Sequence, residues 1–171
     1  SWLVRDQANL ALTGRDFVLA PGETLVLEDV VLDVFGFEAA RGAIRIRADR
    51  EVIASSRIYT AVDGATFGQG LDAVPLRQAT KAFQRTDVLG LAETAAFRTN
   101  LVLAAGAMGS IARLSLRDPS GSELAATTVT LGSYEPRLIP VGDLEPGLRF
   151  EHATLHADLG QHLLAQIIQS E

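Results

Sequence analysis

The sequence predicts an all-β protein of the β-sandwich class. Apolar residues alternate with polar or small residues along almost every segment, which is the period of a strand with one buried face. Seven such segments follow one another from Val88 onward, separated by turn sequences such as Asp118-Pro119-Ser120-Gly121. Short strands at this spacing are typical of two packed sheets.

The composition is that of an ordinary globular protein and excludes several classes. Of 171 residues, 47% are hydrophobic and 21% are charged. Cysteine is absent, which excludes disulfides and thiolate metal sites. No apolar run approaches the length of a membrane span, so no span is predicted. The net charge of −6 would repel nucleic acid, and most of this net negative charge lies in the second half.

Both halves of the chain contain predicted strands. In the first half these are Trp2–Arg5, Leu10–Leu12, Phe17–Leu19, Leu25–Leu32, Ala43–Arg47 and Val52–Tyr59. In the second half they are Val88–Ala92, Phe97–Ala105, Ile111–Arg117, Leu124–Leu131, Arg137–Val141, Leu148–Ala157 and His162–Gln169. The last segment also suits a helix by its apolar spacing, but its place at the close of a sandwich favours a strand.

Two segments break the alternation. Val34–Ala40 is predicted to form a single helical turn, ended by Gly42. Asp63–Thr86 contains three glycines and a proline and is predicted to be a long ordered loop, with a short helix over Pro75–Phe83.

An internal repeat is suggested by matching short segments. Arg5-Asp6 and Arg117-Asp118 lie 112 residues apart, as do Val18-Leu19 and Thr130-Leu131. Residues 42–49 match residues 152–158 at a slightly shorter separation. The alternative is chance similarity between alternating sequences. The repeat predicts about one and a half copies, residues 1–85 being a first, incomplete module with a connecting loop and residues 86–171 a second module.

Three strings carry a resemblance to a family. SSRIYTAVDGATFGQGLDAVP (55–75), LGLAETAAFRTNLVLAA (89–105) and LRDPSGSEL (116–124) resemble tandem immunoglobulin-like β-sandwich modules of bacterial secreted and surface proteins. In that family the first type of string joins one module to the next, which opens with an FRTNL-type strand. The resemblance implies one and a half to two modules in tandem, an extracellular, cell-surface or periplasmic location, and no catalytic residues. This sequence departs from the family pattern in one respect, because its first module is expected to begin after its own opening strands.

The FRTNL segment contains two of the candidate site residues. Alternation places Phe97, Thr99 and Leu101 on one face of a strand, with Arg98 and Asn100 on the other. Arg98 and Asn100 are then expected to hydrogen-bond to the loop backbone of residues 64–70, where glycines permit close approach.

A ligand site is the alternative role for these residues. It would consist of Arg98 and Asn100 together with Gln69 and Phe67 of the glycine-rich loop.

Motifs for catalysis or cofactor binding are not found in the sequence. There is no G-x-S-x-G nucleophile motif, no phosphate-binding loop and no EF-hand loop, and residues 64–70 have the wrong glycine order for a dinucleotide site. His152 and His156, on one strand, would be about 13 Å apart, too far to share a metal. Glu28, Asp29 and Asp33 form either a calcium site or a solvated acidic edge. We therefore expect no enzyme activity, no cofactor and no resident metal.

The function expected from these observations is that of a non-catalytic structural or adhesive module in an extracellular bacterial protein or assembly. Its partners would be other copies of itself or neighbouring modules, in a homo-oligomer or filament. The alternative is a glycan- or protein-binding module that uses the Gly64–Val74 loop. A module without its opening strands leaves an unpaired edge, which is completed either by the second half of the chain or by a neighbouring copy.

Overall fold

The structure is a computed structural model that describes residues 1–159 and 163–170, with the backbone alone for Phe67, 151–153, 155–159 and 163–170. The fold is all-β, as predicted. The strands are β1 (Trp2–Val4), β2 (Gly42–Ile44), β3 (Ser55–Val62), β4 (Ala65–Asp72), β5 (Arg85–Glu93), β6 (Arg98–Ala105), β7 (Ser110–Arg117), β8 (Glu123–Leu131), β9 (Pro136–Pro140), β10 (Phe150–Leu159) and β11 (Leu163–Ser170).

Two antiparallel sheets in the second half share one hydrophobic core. One sheet has the order β5-β10-β7-β8 and the other the order β11-β6-β9. Leu101 and Leu103 of β6 and Leu114 and Leu116 of β7 belong to the same buried cluster and are at most 1% exposed. In β6 and β7, alternate side chains enter this core from the two sheets.

The strand order matches the immunoglobulin arrangement only at its centre. When β5–β11 are lettered A to G, the immunoglobulin sheets are ABED and CFG. Here the sheets are AFCD and GBE. The central pairs, B with E and C with F, are present. Strands A, D and G each lie in the other sheet from the one they occupy in the immunoglobulin arrangement.

The strands predicted in the second half are confirmed with small shifts of their ends. The C-terminal segment is a strand, which pairs with β6 along its whole length from Leu163 opposite Ala105 to Ser170 opposite Arg98. His162, the first residue of that predicted strand, lies outside the described residues.

The first half forms fewer strands than predicted. β1 and β2 are confirmed and pair with each other, and Val52–Tyr59 is found three residues later as β3. Leu10–Leu12, Phe17–Leu19 and Leu25–Leu32 are not strands, and near them only Thr13 forms a single bridge, to Trp2. An alternating segment becomes a strand only when a neighbouring strand satisfies its backbone, and these segments lack that neighbour.

The helical turn of the first half lies earlier than predicted. It is a π-helical turn over Val30–Val34, not Val34–Ala40. The Asp29 carboxylate accepts a hydrogen bond from the Leu32 N–H at 3.1 Å and starts the turn. One of the three acidic residues considered for calcium therefore has a structural role as a helix cap.

The predicted loop over Asp63–Thr86 is wrong in its first part. β3 and β4 form a regular hairpin around Asp63-Gly64, both in the left-handed region, with Ile58 opposite Gln69. The predicted helix over Pro75–Phe83 is reduced to a 3₁₀ turn at Leu76–Gln78, because the backbone is already extended at Ala79. None of the helical turns in the described residues has the length and apolar character needed to cross a bilayer.

Candidate functional site

An open cleft of about 470 Å³ lies where β6 begins and β9 ends. It contains two of the four residues predicted for a binding site, Arg98 and Asn100. The residues that give the cleft its polar character are Glu93, Arg98, Asn100, Asp143 and Arg149. Two guanidinium groups, two carboxyl groups and one amide therefore face a common space.

The alternation of β6 places Arg98 and Asn100 at this cleft. Thr99 and Leu101 are each 1% exposed and face the core. Arg98 and Asn100, which alternate with them, therefore point away from the core, as predicted. Phe97 was expected on the core face but is 45% exposed. It lies in the turn before β6, where its N–H and that of Ala96 are bound by the Thr94 hydroxyl.

Glu93 is the buried charged group of the cleft. Its side chain packs against Gly142, where an added Cβ would lie 3.0 Å from Oε1. The Arg149 guanidinium lies 3.9 Å from the same oxygen, and Oε2 accepts the Thr99 N–H at 3.4 Å. Glu93 thus lies between a backbone donor and a cation.

The other two predicted site residues lie elsewhere, on β4 of the hairpin. Gln69 is half-buried opposite Ile58, and for Phe67 the structure describes the backbone, which lies opposite Thr60. Within the described residues, no hydrogen bond joins the Arg98 or Asn100 side chain to residues 64–70. The loop predicted to be held by these side chains instead pairs with β3.

Apolar side chains are concentrated on the surface of the first half. Seventeen large apolar residues between Val4 and Val62 are exposed, against six in the described chain after Val62. We call these seventeen side chains the amino-terminal surface. Among residues 1–62, the buried apolar side chains are those of Trp2, Leu3 and Val34. Exposed apolar side chains in such number are unusual for a monomeric protein and are typical of an interface.

Three side chains of the amino-terminal surface, Ile58, Tyr59 and Val62, lie on β3 of the hairpin. All eight residues of β3 are exposed, including Ile58 (65%) and Tyr59 (57%). A two-stranded hairpin without a packed face is marginally stable in water. The hairpin is therefore suited to packing against a further strand or sheet.

Asn9 joins the amino-terminal segment to the second half. It is 7% exposed, its Nδ2 donates to the carbonyls of Val4, Gln7 and Tyr134, and its Oδ1 accepts the Val4 N–H. Its own N–H binds Ser133 O at 2.8 Å. Nearby, the Arg45 guanidinium lies 4.8 Å from the centre of the Tyr134 ring.

A second buried polar group supports the loop that receives Asn9. Glu135 is 4% exposed and accepts the Gly132 N–H at 2.7 Å while it pairs with Arg137. These contacts of Glu135 hold the 132–136 loop in the conformation that the amino-terminal segment contacts.

Sequence reasoning missed both Asn9 and Glu93. The partners of Asn9 include Tyr134, 125 residues away, and no local pattern predicts such a contact. Glu93 did offer a sign, because it shares the inward face of β5 with Leu91, a position that rarely holds a charged residue.

Comparison with known proteins adds no relative. No protein-family model matches this chain, and no match was found among curated proteins or solved structures. In the described residues, no group of three or more acidic or histidine side chains is arranged to hold a metal ion.

Proposed function

We propose that this protein is a non-catalytic structural or adhesive module of an extracellular bacterial protein or assembly, built as a variant of the immunoglobulin-like sandwich. It acts by packing against other copies of itself or neighbouring modules. The observation that carries this proposal is the unequal distribution of apolar side chains. The second half has a closed core, while the first half has an extensive apolar surface.

The use of the buried polar groups supports a structural role. Asn9 and Glu135 hold the backbone where the two halves meet. Thr99 donates to Ala92 O at 2.7 Å and accepts the Ala92 N–H, joining β5 and β6. These groups satisfy backbone donors and acceptors, as a stable scaffold requires.

Self-association through the amino-terminal surface is the first expected result. We expect the mass of the intact chain, measured by size-exclusion chromatography with light scattering, to rise with concentration above that of a monomer. Ile58→Asp should lower the association at least tenfold, because the introduced charge would be desolvated in the contact.

The matched control is Ile111→Asp, at an exposed isoleucine of the second half (55% exposed, against 65% for Ile58). It should leave association unchanged. A chain that stays monomeric at every concentration, or equal effects of the two substitutions, would contradict assembly through this surface.

A second candidate function is the binding of an acidic glycan in the cleft. The adjacent guanidinium and amide groups of Arg98 and Asn100 carry this alternative, because arginine binds carboxylates in a bidentate manner and amides bind hydroxyls. In this alternative the ligand binds in the cleft and not at the predicted Gly64–Val74 loop, because most of that segment forms strand β4 of the hairpin.

Titration with D-glucuronate, followed by NMR, tests the glycan alternative. We expect the Asn100 side-chain amide signals to shift with glucuronate and not with D-glucose, and Arg98→Ala to weaken binding at least fivefold. Arg113→Ala, at a solvent-exposed arginine on β7, is the control. Equal responses to both sugars, or none, would remove this function.

A further inference from the structure

One set of strand pairings occurs in both halves. In the second half β7 lies between β8 and β10. In the first half β1 lies between β2 and the bridge to Thr13, and all of these pairings are antiparallel. The dipeptide Arg-Asp occurs at the end of both central strands, with Arg5 directly after β1 and Arg117 as the last residue of β7. β1 is therefore the equivalent of β7, and β2 is the equivalent of β10.

The correspondence continues along the chain. A helical turn follows β9 at Val141–Asp143, and another follows residues 24–28 at Val30–Val34. β11 follows β10 in the second half, as β3 follows β2 in the first half. The first residue of β11 lies 108 residues after the first residue of β3. Residues 24–28 thus correspond to β9, and β3 corresponds to β11.

Among the described residues 1–62, no strand corresponds to β5 or β6. In the second half β6 lies between β11 and β9, and β5 pairs with β10. In the described part of the first half, residues 24–28 form no strand, β3 pairs with β4, and β2 pairs with β1. By this correspondence, a β6-type strand would lie between β3 and residues 24–28.

Side-chain exposure agrees with this assignment. Phe17 and Leu19 lie 112 residues before Val129 and Leu131, respectively. Phe17 is 51% exposed and Leu19 is 42% exposed, whereas the exposed fractions of Val129 and Leu131 are 8% and 2%. Val129 and Leu131 lie in the core cluster to which β6 contributes Leu101, Leu103 and Ala105. The exposure of Phe17 and Leu19 is what we expect where, in the described residues, no strand equivalent to β6 covers them.

We propose that the amino-terminal surface is an acceptor for a pair of antiparallel strands equivalent to β5 and β6, the opening strands of another module of the same kind. The β6-type strand would lie between β3 and residues 24–28, antiparallel to β3, and the β5-type strand would pair with β2. This proposal rests on the proposed assembly function and specifies the partner. Backbone pairing gives the affinity, and the alternate leucines of the incoming strand cover Phe17 and Leu19.

The test is a labelled 21-residue peptide with the sequence of residues 85–105, added to the intact chain. We expect saturable binding, and amide hydrogen exchange at least tenfold slower in residues 24–28 and 55–62. A control peptide with aspartate in place of the leucines at positions 101 and 103 should bind at least tenfold more weakly.

Joining the same peptide to the chain ahead of Ser1 through a flexible glycine-serine linker guards against poor peptide solubility. The joined form should show the same slow exchange at residues 24–28 and 55–62. Unchanged exchange there in both formats, equal binding of the control peptide, or a change confined to residues 136–140 and 163–170 would overturn the proposal. The last outcome would mean that the peptide replaces the chain's own β6.

The results separate this acceptor from the assembly function. A chain that self-associates but does not respond to the peptide in either format retains the assembly function and loses the acceptor. A chain that binds the peptide but never self-associates retains the acceptor and loses assembly between copies.

Discussion

Leu103→Ala is expected to lower the free energy of unfolding by about 2–5 kcal/mol. Leu103 is 0% exposed at the centre of β6, the middle strand of its sheet. The substitution removes apolar contacts with both sheets and leaves a cavity that the surrounding strands cannot close without breaking their pairing. Equilibrium denaturation in urea, followed by circular dichroism, measures the change.

The control for this prediction is Leu10→Ala, the same substitution at a side chain that is 84% exposed. It should change the free energy of unfolding by less than about 0.5 kcal/mol, since an exposed leucine loses little on truncation. Similar losses for the two variants would show that the core described here does not carry the stability of the protein.

Asn9→Ala is expected to destabilise the folded chain by about 1–3 kcal/mol, because it leaves the partly buried backbone carbonyls of Val4 and Tyr134 without their donor. Since Asn9 attaches the amino-terminal segment to the 132–136 loop, limited proteolysis should cut the first half faster. Gln7→Ala, at an exposed neighbour, is the control and should leave the proteolysis rate unchanged.

A conservative change at the same position gives a pH dependence. In Asn9→Asp, a carboxyl oxygen replaces Nδ2 and faces three carbonyl oxygens, which raises the pKa of the introduced group in the folded state. The folded state then binds more protons than the unfolded state, so the loss of stability is smallest near pH 4 and grows towards pH 7. A loss that is independent of pH would contradict the contacts assigned to Asn9.

Strands in the second half were predictable from the sequence because local alternation and tertiary pairing agree there. Leu101 and Leu103 alternate with polar or small residues and have paired strands on both sides. At Phe17 and Leu19 the alternation is equally clear, but the described chain provides no strand beside them. The sequence pattern records which face a segment would bury and not whether a partner is present.

The cleft was predictable only in part, for a related reason. Arg98 and Asn100 face it because they alternate with buried Thr99 and Leu101, a local property. Asp143 and Arg149 come to the same place through the pairing of β9 with β6 and the turn that follows, which is a property of the topology. Gln69 and Phe67 were assigned to the site from a loop that proved to be a hairpin strand.

The pairing of β6 with β11 has a consequence for the synthesis of the chain. Arg98 lies opposite Ser170, so the middle strand of this sheet receives its second neighbour only when residues 163–170 have been translated. Contacts of such long sequence separation slow folding. Until then the nascent β6 has one open edge on the ribosome, where a strand from another nascent chain of the same kind competes for the same hydrogen bonds.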